Sequence, residues 1–191
     1  MNKNQYLLQL AKQILSVKNS LSKVYFAKLI YFVHKGLVQK GLSKKEDLKF
    51  IRMPLGPVPV GFRGIKKDSG IQIKEEDTGL IYNKQIYCLS TKNDKDIKDE
   101  RYDTVKIIVN NLSQLSTSEL VEHSHNEPSW KGHENSEEYY LENNDLKRSL
   151  PQKERHAINP ELDDQKLQAL LLSGMMDEIV EDSTSLEYPQ K

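Results

Sequence analysis

Near the start of the chain, apolar residues recur at threes and fours, and this spacing sets the frame for everything after it. From Gln5 to Val17, the residues Tyr6, Leu7, Leu10, Ile14 and Val17 share one side of a predicted helix, which Asn19 and Ser20 interrupt. Leu21 to Gly41 follows, LSKVYFAKLIYFVHKGLVQKG. Wound at about 100° per residue, it sets Tyr25, Phe26, Leu29, Ile30, Phe32, Val33 and Leu37 on one half of the wheel. The other half carries Lys23, Ala27, Lys28, Tyr31, His34, Lys35 and Gln39. An apolar arc this wide needs cover from more than one neighbour, because a surface helix shows a narrower stripe. Ser22 is placed to cap the first turn, and Gly41 to close the last one in the left-handed conformation. The stretch over 21–41 therefore predicts the central helix of a small, mostly helical domain.

The pattern then changes. Lys49–Phe62, KFIRMPLGPVPVGF, holds three prolines and two glycines, which exclude a regular helix or an interior strand. Each proline forces its predecessor away from the helical region, so a stiff extended loop is expected to lie across the central helix. One or two helical turns over 60–67 follow. Ile71-Gln-Ile-Lys and Ile86-Tyr-Cys-Leu, with Leu80-Ile-Tyr between them, alternate around Asn83-Lys84 and predict a small β-hairpin over 71–89. Helical spacing returns over 94–115 through Ile97, Tyr102, Val105, Ile108, Val109 and Leu112, with Asp94 as the expected cap. Ser116 and Glu119 have the spacing of a capping box, which opens a helix running to about His123 and ending before Pro128. A last polar turn or two is expected over 136–150. The fold class is thus mainly α, an α+β domain over 1–150.

Residues 151–191 read differently. They hold four basic and nine acidic residues, a net −5, which leaves the body over 1–150 at +5 in a chain of zero net charge. Leu167, Leu170, Leu171, Met175 and Ile179 share a side, predicting an amphipathic helix over about 161–181 that ends in a disordered tail. Such a helix either docks on its own domain or fits a partner's groove. A basic body with an acidic extension also allows self-association into a homo-oligomer. The single cysteine, Cys88, excludes an internal disulfide and fits a reducing compartment. No apolar run approaches the roughly 20 residues that span a bilayer, and the N-terminal residues do not read as a signal peptide. A cytoplasmic protein is the expectation.

Candidate chemistry is sparse. His123, His125 and His133 follow no metal-ligand spacing and have no cysteine near them, so neither a metal nor another cofactor is expected. His125 with Glu122 or Glu127 has the residue types of general acid–base catalysis, but no nucleophile is placed beside it. The plainer reading has His125 bonding backbone at a helix end, while Trp130 folds back with Pro128 as a core anchor. Gly56 and the Gly61-Phe-Arg-Gly64 run lack the Gly-Lys-Ser/Thr of a phosphate loop, and prolines remove amides that would hold phosphate. Lys23, Lys28, Lys35, Lys40, Lys44 and Lys45 cluster with Tyr31, but a surplus of +5 is small for a nucleic-acid binder, and DNA is not expected as a partner.

Three segments in order carry a resemblance: KLIYFVHKG at Lys28–Gly36, LGPVPVGF at Leu55–Phe62, and HNEPSW at His125–Trp130. Together they resemble the Panacea domain of the SocA-like antitoxins, a phage-associated protein type, over roughly residues 5–148. The resemblance implies a mostly helical fold with a small sheet, and a protein that neutralises a toxin encoded beside it by direct binding. One member of that family acts instead as an adaptor that delivers its toxin to a protease, and this is the alternative. A nucleic-acid-binding regulator is a lesser one, since the acidic extension does not read as the DNA-binding module many relatives carry. The family has no known catalytic residues, so no enzyme activity is implied. The matching positions Gly56, Pro57, Pro59, His125 and Trp130 are expected to be scaffold. Candidate partner contacts are Lys28, Tyr31 and Lys35 on the polar side of the central helix, with Leu170, Leu171 and Met175 on the extension.

Overall fold

In a computed structural model of the chain, residues 3–66, 70–76, 84–90, 97–153 and 162–172 are described. The first helix, α1 (Lys3–Val17), buries Tyr6, Leu7, Leu10 and Ile14 as its spacing requires, and the chain leaves it through Ser20 at a positive φ of 65°. The central helix, α2 (Lys23–Gln39), has thirteen consecutive buried residues from Tyr25 to Leu37. Helix α1, the later helices α3 (Tyr102–Leu112) and α4 (Thr117–His125), and strands from two sheets surround it, so the wide apolar arc understated how completely it is enclosed. Its end is a Schellman motif: Gly41 sits at φ 72°, its amide bonds Val38 O, and the Leu42 amide bonds Leu37 O. Its beginning departs from expectation. Ser22 makes no side-chain cap and instead belongs to β1 (Leu21–Ser22), paired with β5 (Lys84–Leu89).

Two three-stranded antiparallel sheets flank this helix. In one, the order is β1–β5–β4, with β4 (Ile71–Glu76) and β5 (Lys84–Leu89) in the predicted hairpin pairing, Ile73 opposite Tyr87. The expected turn at Asn83-Lys84 begins at a residue outside those described. The other sheet has the order β3–β2–β6 and is made of two-residue strands, β2 (Phe50–Ile51), β3 (Val58–Pro59) and β6 (Glu138–Tyr139). Pro59 is tolerated there because β3 is an edge. This sheet ties the proline-rich loop to the far end of the domain, and strands so short leave no alternation to read. The helical turns expected over 60–67 are a 3-10 helix at Phe62–Lys66.

Helix α3 (Tyr102–Leu112) starts well after Asp94, which lies outside the described residues. The turn ahead of it is held by Asp99, which accepts from Gln13 Nε2 at 2.8 Å and from the Arg101 amide at 2.9 Å. Helix α4 (Thr117–His125) opens on the predicted capping box: the Glu119 amide reaches Ser116 Oγ at 3.2 Å and the Ser116 amide reaches Glu119 Oε2 at 2.6 Å. Two short helices follow, α5 (Pro128–Lys131), with proline at its first position, and α6 (Asn143–Leu146). A last helix, α7, spans 162–172, and its expected continuation to about 181 lies outside the described residues.

Candidate functional site

The three sequence segments that carry the resemblance meet along one side of α2. Lys28, at its second turn, is 1% exposed, and its amine donates to Pro57 O at 2.7 Å. Burial holds its pKa well below the usual lysine value, because the core disfavours the charged amine. Gly56 makes this approach possible. Its φ is 87°, and a Cβ there would collide with Ser124 Oγ and come within 3.0 Å of Lys28 Nζ. A Gly56→Ala variant is therefore expected to lose about 2–3 kcal/mol, from a strained backbone plus overpacking. A urea midpoint within error of wild type would contradict the account.

One turn on lies Tyr31, edge-on to Phe32 and Phe50 at ring separations of 5.1 and 5.0 Å. Its hydroxyl and that of Tyr139 lean on Ser129 Oγ without reaching good hydrogen-bond geometry. Burial drives both phenol pKa values up, and the Glu127 and Asp145 carboxylates add to the rise. One turn further, Lys35 Nζ meets both carboxylate oxygens of Glu127 at 2.8 and 2.7 Å, with Lys35 wholly buried and Glu127 nearly so. Desolvation raises the Glu127 pKa and the Lys35 ammonium opposes that rise. Asp145, also buried, caps the neighbouring segments by accepting from the Ser129 amide at 2.9 Å and the Glu142 amide at 2.7 Å.

The third segment closes the site. His125 stacks on Trp130 with ring centroids 4.1 Å apart, and the Arg52 guanidinium lies 4.4 Å from the same indole centre. Trp130 Nε1 donates to Met53 O at 3.3 Å, which pins the proline-rich loop from its outer side. The indole is half-buried, so it clamps the loop from the domain's rim and does not anchor the core as expected. Burial lowers the His125 pKa to about 4, with Lys28 and Arg52 acting in the same direction and a bond to the Pro54 backbone opposing.

These positions correct the reading of α2's polar side. Lys28, Tyr31 and Lys35, expected as solvated partner contacts, are 1%, 0% and 0% exposed and present no surface. Tertiary pairing overrides the binary pattern: one lysine is bonded to a backbone carbonyl and the other is matched to a carboxylate. Leu170 and Leu171 are half-buried, and Met175 lies outside the described residues. Gly56, Pro57 and Pro59 are buried in the loop. Glu127, Asp145, Ser124 and Arg52 were not singled out, apart from Glu127 as a possible acid. The available signal was a pair of lysines inside the most apolar helix of the chain, which requires buried acceptors elsewhere.

The arrangement holds three remote segments together around Lys28, Lys35 and His125. Two open grooves of about 500 and 510 Å³ share Leu150, Pro151 and Gln152, and Glu127 lines the second of them. Among the described residues, no group of three His, Cys, Asp or Glu side chains could hold a metal ion, and no helix is long and apolar enough to cross a membrane.

Comparison with known families decides the assignment. The SocA-like antitoxin description, the Panacea domain, matches residues 26–131, more than half of the chain and all three segments. The chain belongs to the SocA-like antitoxin family. No curated protein matches it. In this Panacea domain the matched span begins inside α2 and ends at α5, so it takes in the Lys28–Pro57 bond, the Lys35–Glu127 pair and the His125–Trp130 stack.

The buried amine has a measurable consequence. Lys28 in the unfolded chain keeps a pKa near 10.5 while the folded one is far lower. Between those values the unfolded state binds the extra proton, so stability rises with pH. The melting temperature is expected to climb as pH rises toward about 10. Above that it should fall, because Tyr6 and Tyr25 are pushed up to about 12 by burial and the unfolded chain sheds their protons first. A flat profile on the approach to pH 10 would contradict a depressed Lys28 pKa.

Proposed function

We propose that this chain is the antitoxin of a toxin–antitoxin pair and neutralises a cognate protein toxin, encoded beside it, by direct stoichiometric binding in the cytoplasm. Membership of the SocA-like antitoxin family carries the reading. The way the family segments are used supports it: they are spent on internal clamps, Lys28 on the proline loop and Lys35 on Glu127. A rigid body of this kind acts through its surface, by binding and not by turnover.

Co-expression with the product of the neighbouring reading frame tests the proposal. Growth rescue together with co-purification at a fixed ratio is the expected result, in protease-deficient cells as in wild type. Rescue confined to protease-competent cells would replace neutralisation by delivery to a protease, and no rescue at all would end the antitoxin reading.

A further inference from the structure

Helix α7 lies against its own domain. Asp163 accepts from the Ser118 amide at 2.8 Å and from the Thr117 amide at 3.1 Å, at the head of α4. Those bonds, with Ser118 and Ser116 hydroxyls also contributing, hold its carboxyl below the usual range despite burial. Leu167, one turn on, is 8% exposed. Asp163, Leu167, Leu170 and Leu171 fall on one side of α7 and are buried or half-buried, whereas Leu162, Gln165, Lys166, Ala169 and Leu172 on the other side are exposed. The seat also adjoins Tyr25 at the start of α2, whose phenol feels the Asp163 charge.

The contact has the character of a docked ligand. The main core cluster is complete without Leu167. An isolated helix of about this length is marginal in water, so α7 depends on its seat more than the seat depends on α7. The recognition chemistry is specific: an acid placed on the first-turn amides of α4, with a leucine four residues behind it.

We propose that residues 162–172 are a detachable self-ligand, and that the surface they cover, at the head of α4 beside Tyr25, is a docking site for amphipathic helices led by an acid. This rests on the reading of the chain as a protein-binding module. In the resting chain the site is filled in cis, and a partner helix of the same chemistry gains it by displacing α7. Because the resident helix belongs to the same chain as its seat, it competes at an effective concentration on the order of mM, which a partner must overcome.

The test uses the full chain carrying Asp163→Lys and Leu167→Glu together, substitutions outside the core cluster that vacate the seat. The probe is a dye-labelled synthetic peptide of residues 159–176. The variant is expected to bind it saturably and the wild-type chain at least about tenfold more weakly, because α7 competes. The same peptide with Asp163→Lys should fail to bind, and the Thr117 and Ser118 amides should exchange faster in the variant chain. Equal binding by both chains, equal binding of both peptides, or no binding to the variant would each overturn the proposal. The toxin takes no part in this titration, so its failure and the failure of the antitoxin reading are separately visible.

Discussion

Glu127→Leu is expected to destabilise the domain by about 3–5 kcal/mol, the cost of stranding a buried charge after its partner is removed. Lys35 is wholly enclosed, and its amine has both Glu127 oxygens within 2.8 Å. Asp145 offers no easy substitute, since its oxygens are committed to the Ser129 and Glu142 amides. Nor does the substitution remove a helix cap, because the Glu127 side chain makes no cap bond to α5. The decisive comparison is the double variant Lys35→Met with Glu127→Leu. Replacing both partners by apolar side chains of similar volume removes the stranded charge and is expected to recover most of the loss. Urea denaturation with unchanged m-values measures both. A single variant that loses under about 1 kcal/mol, or a double that is worse than the single, would show that the pair is not the brace described.

The same pair shows what can be read in a sequence and what cannot. Local rules worked where the cause is local: Gly41 closes α2, Ser116 and Glu119 box the start of α4, and the alternation at 71–76 and 84–89 pairs as a hairpin. They failed where the cause lies far along the chain. Lys28 and Lys35 count as polar in any helical wheel, yet their acceptors are 29 and 92 residues away. No periodicity within α2 distinguishes a lysine facing water from one facing a carbonyl. The β2–β3–β6 sheet escaped for another reason, since two-residue strands carry no period. Asp163 looked like one acid in an acidic tail, and its seat lies 45 residues back at Ser118. The family segments were legible as a set, whereas the use the chain makes of them was not.

Acidification is the second large effect, and His34 sets its window. The imidazole is fully buried on α2, with Nδ1 at 2.8 Å from Tyr6 Oη and its ring 5.8 Å from that of Phe50. Burial lowers its pKa to about 4 from 6.5, outweighing the Lys45 backbone and the Asp47 charge, which act the other way. The folded state therefore keeps His34 neutral while the unfolded chain takes up a proton below pH 6.5. The His34 contribution to stability is complete above that pH and drains away as pH falls toward 4. The loss from this one group is about 2 kcal/mol at pH 5 and about 3 at pH 4. His125, lowered to about 4 mainly by burial, adds to the loss over the same window, and by less because its ring is half-exposed. Glu127 works against the trend, since its raised pKa lets the folded state take a proton before the unfolded one does. Asp99 and Asp163, both held low, contribute only below about pH 4, after the histidines have acted. The expected result is a steep fall in the urea midpoint between pH 6.5 and 4, and a His34→Gln variant should be less stable at pH 7 but show a shallower fall. If His34→Gln retained the full acid dependence, the enclosed imidazole would not be its source, and the stacked His125 at the rim of the proline loop would have to carry it.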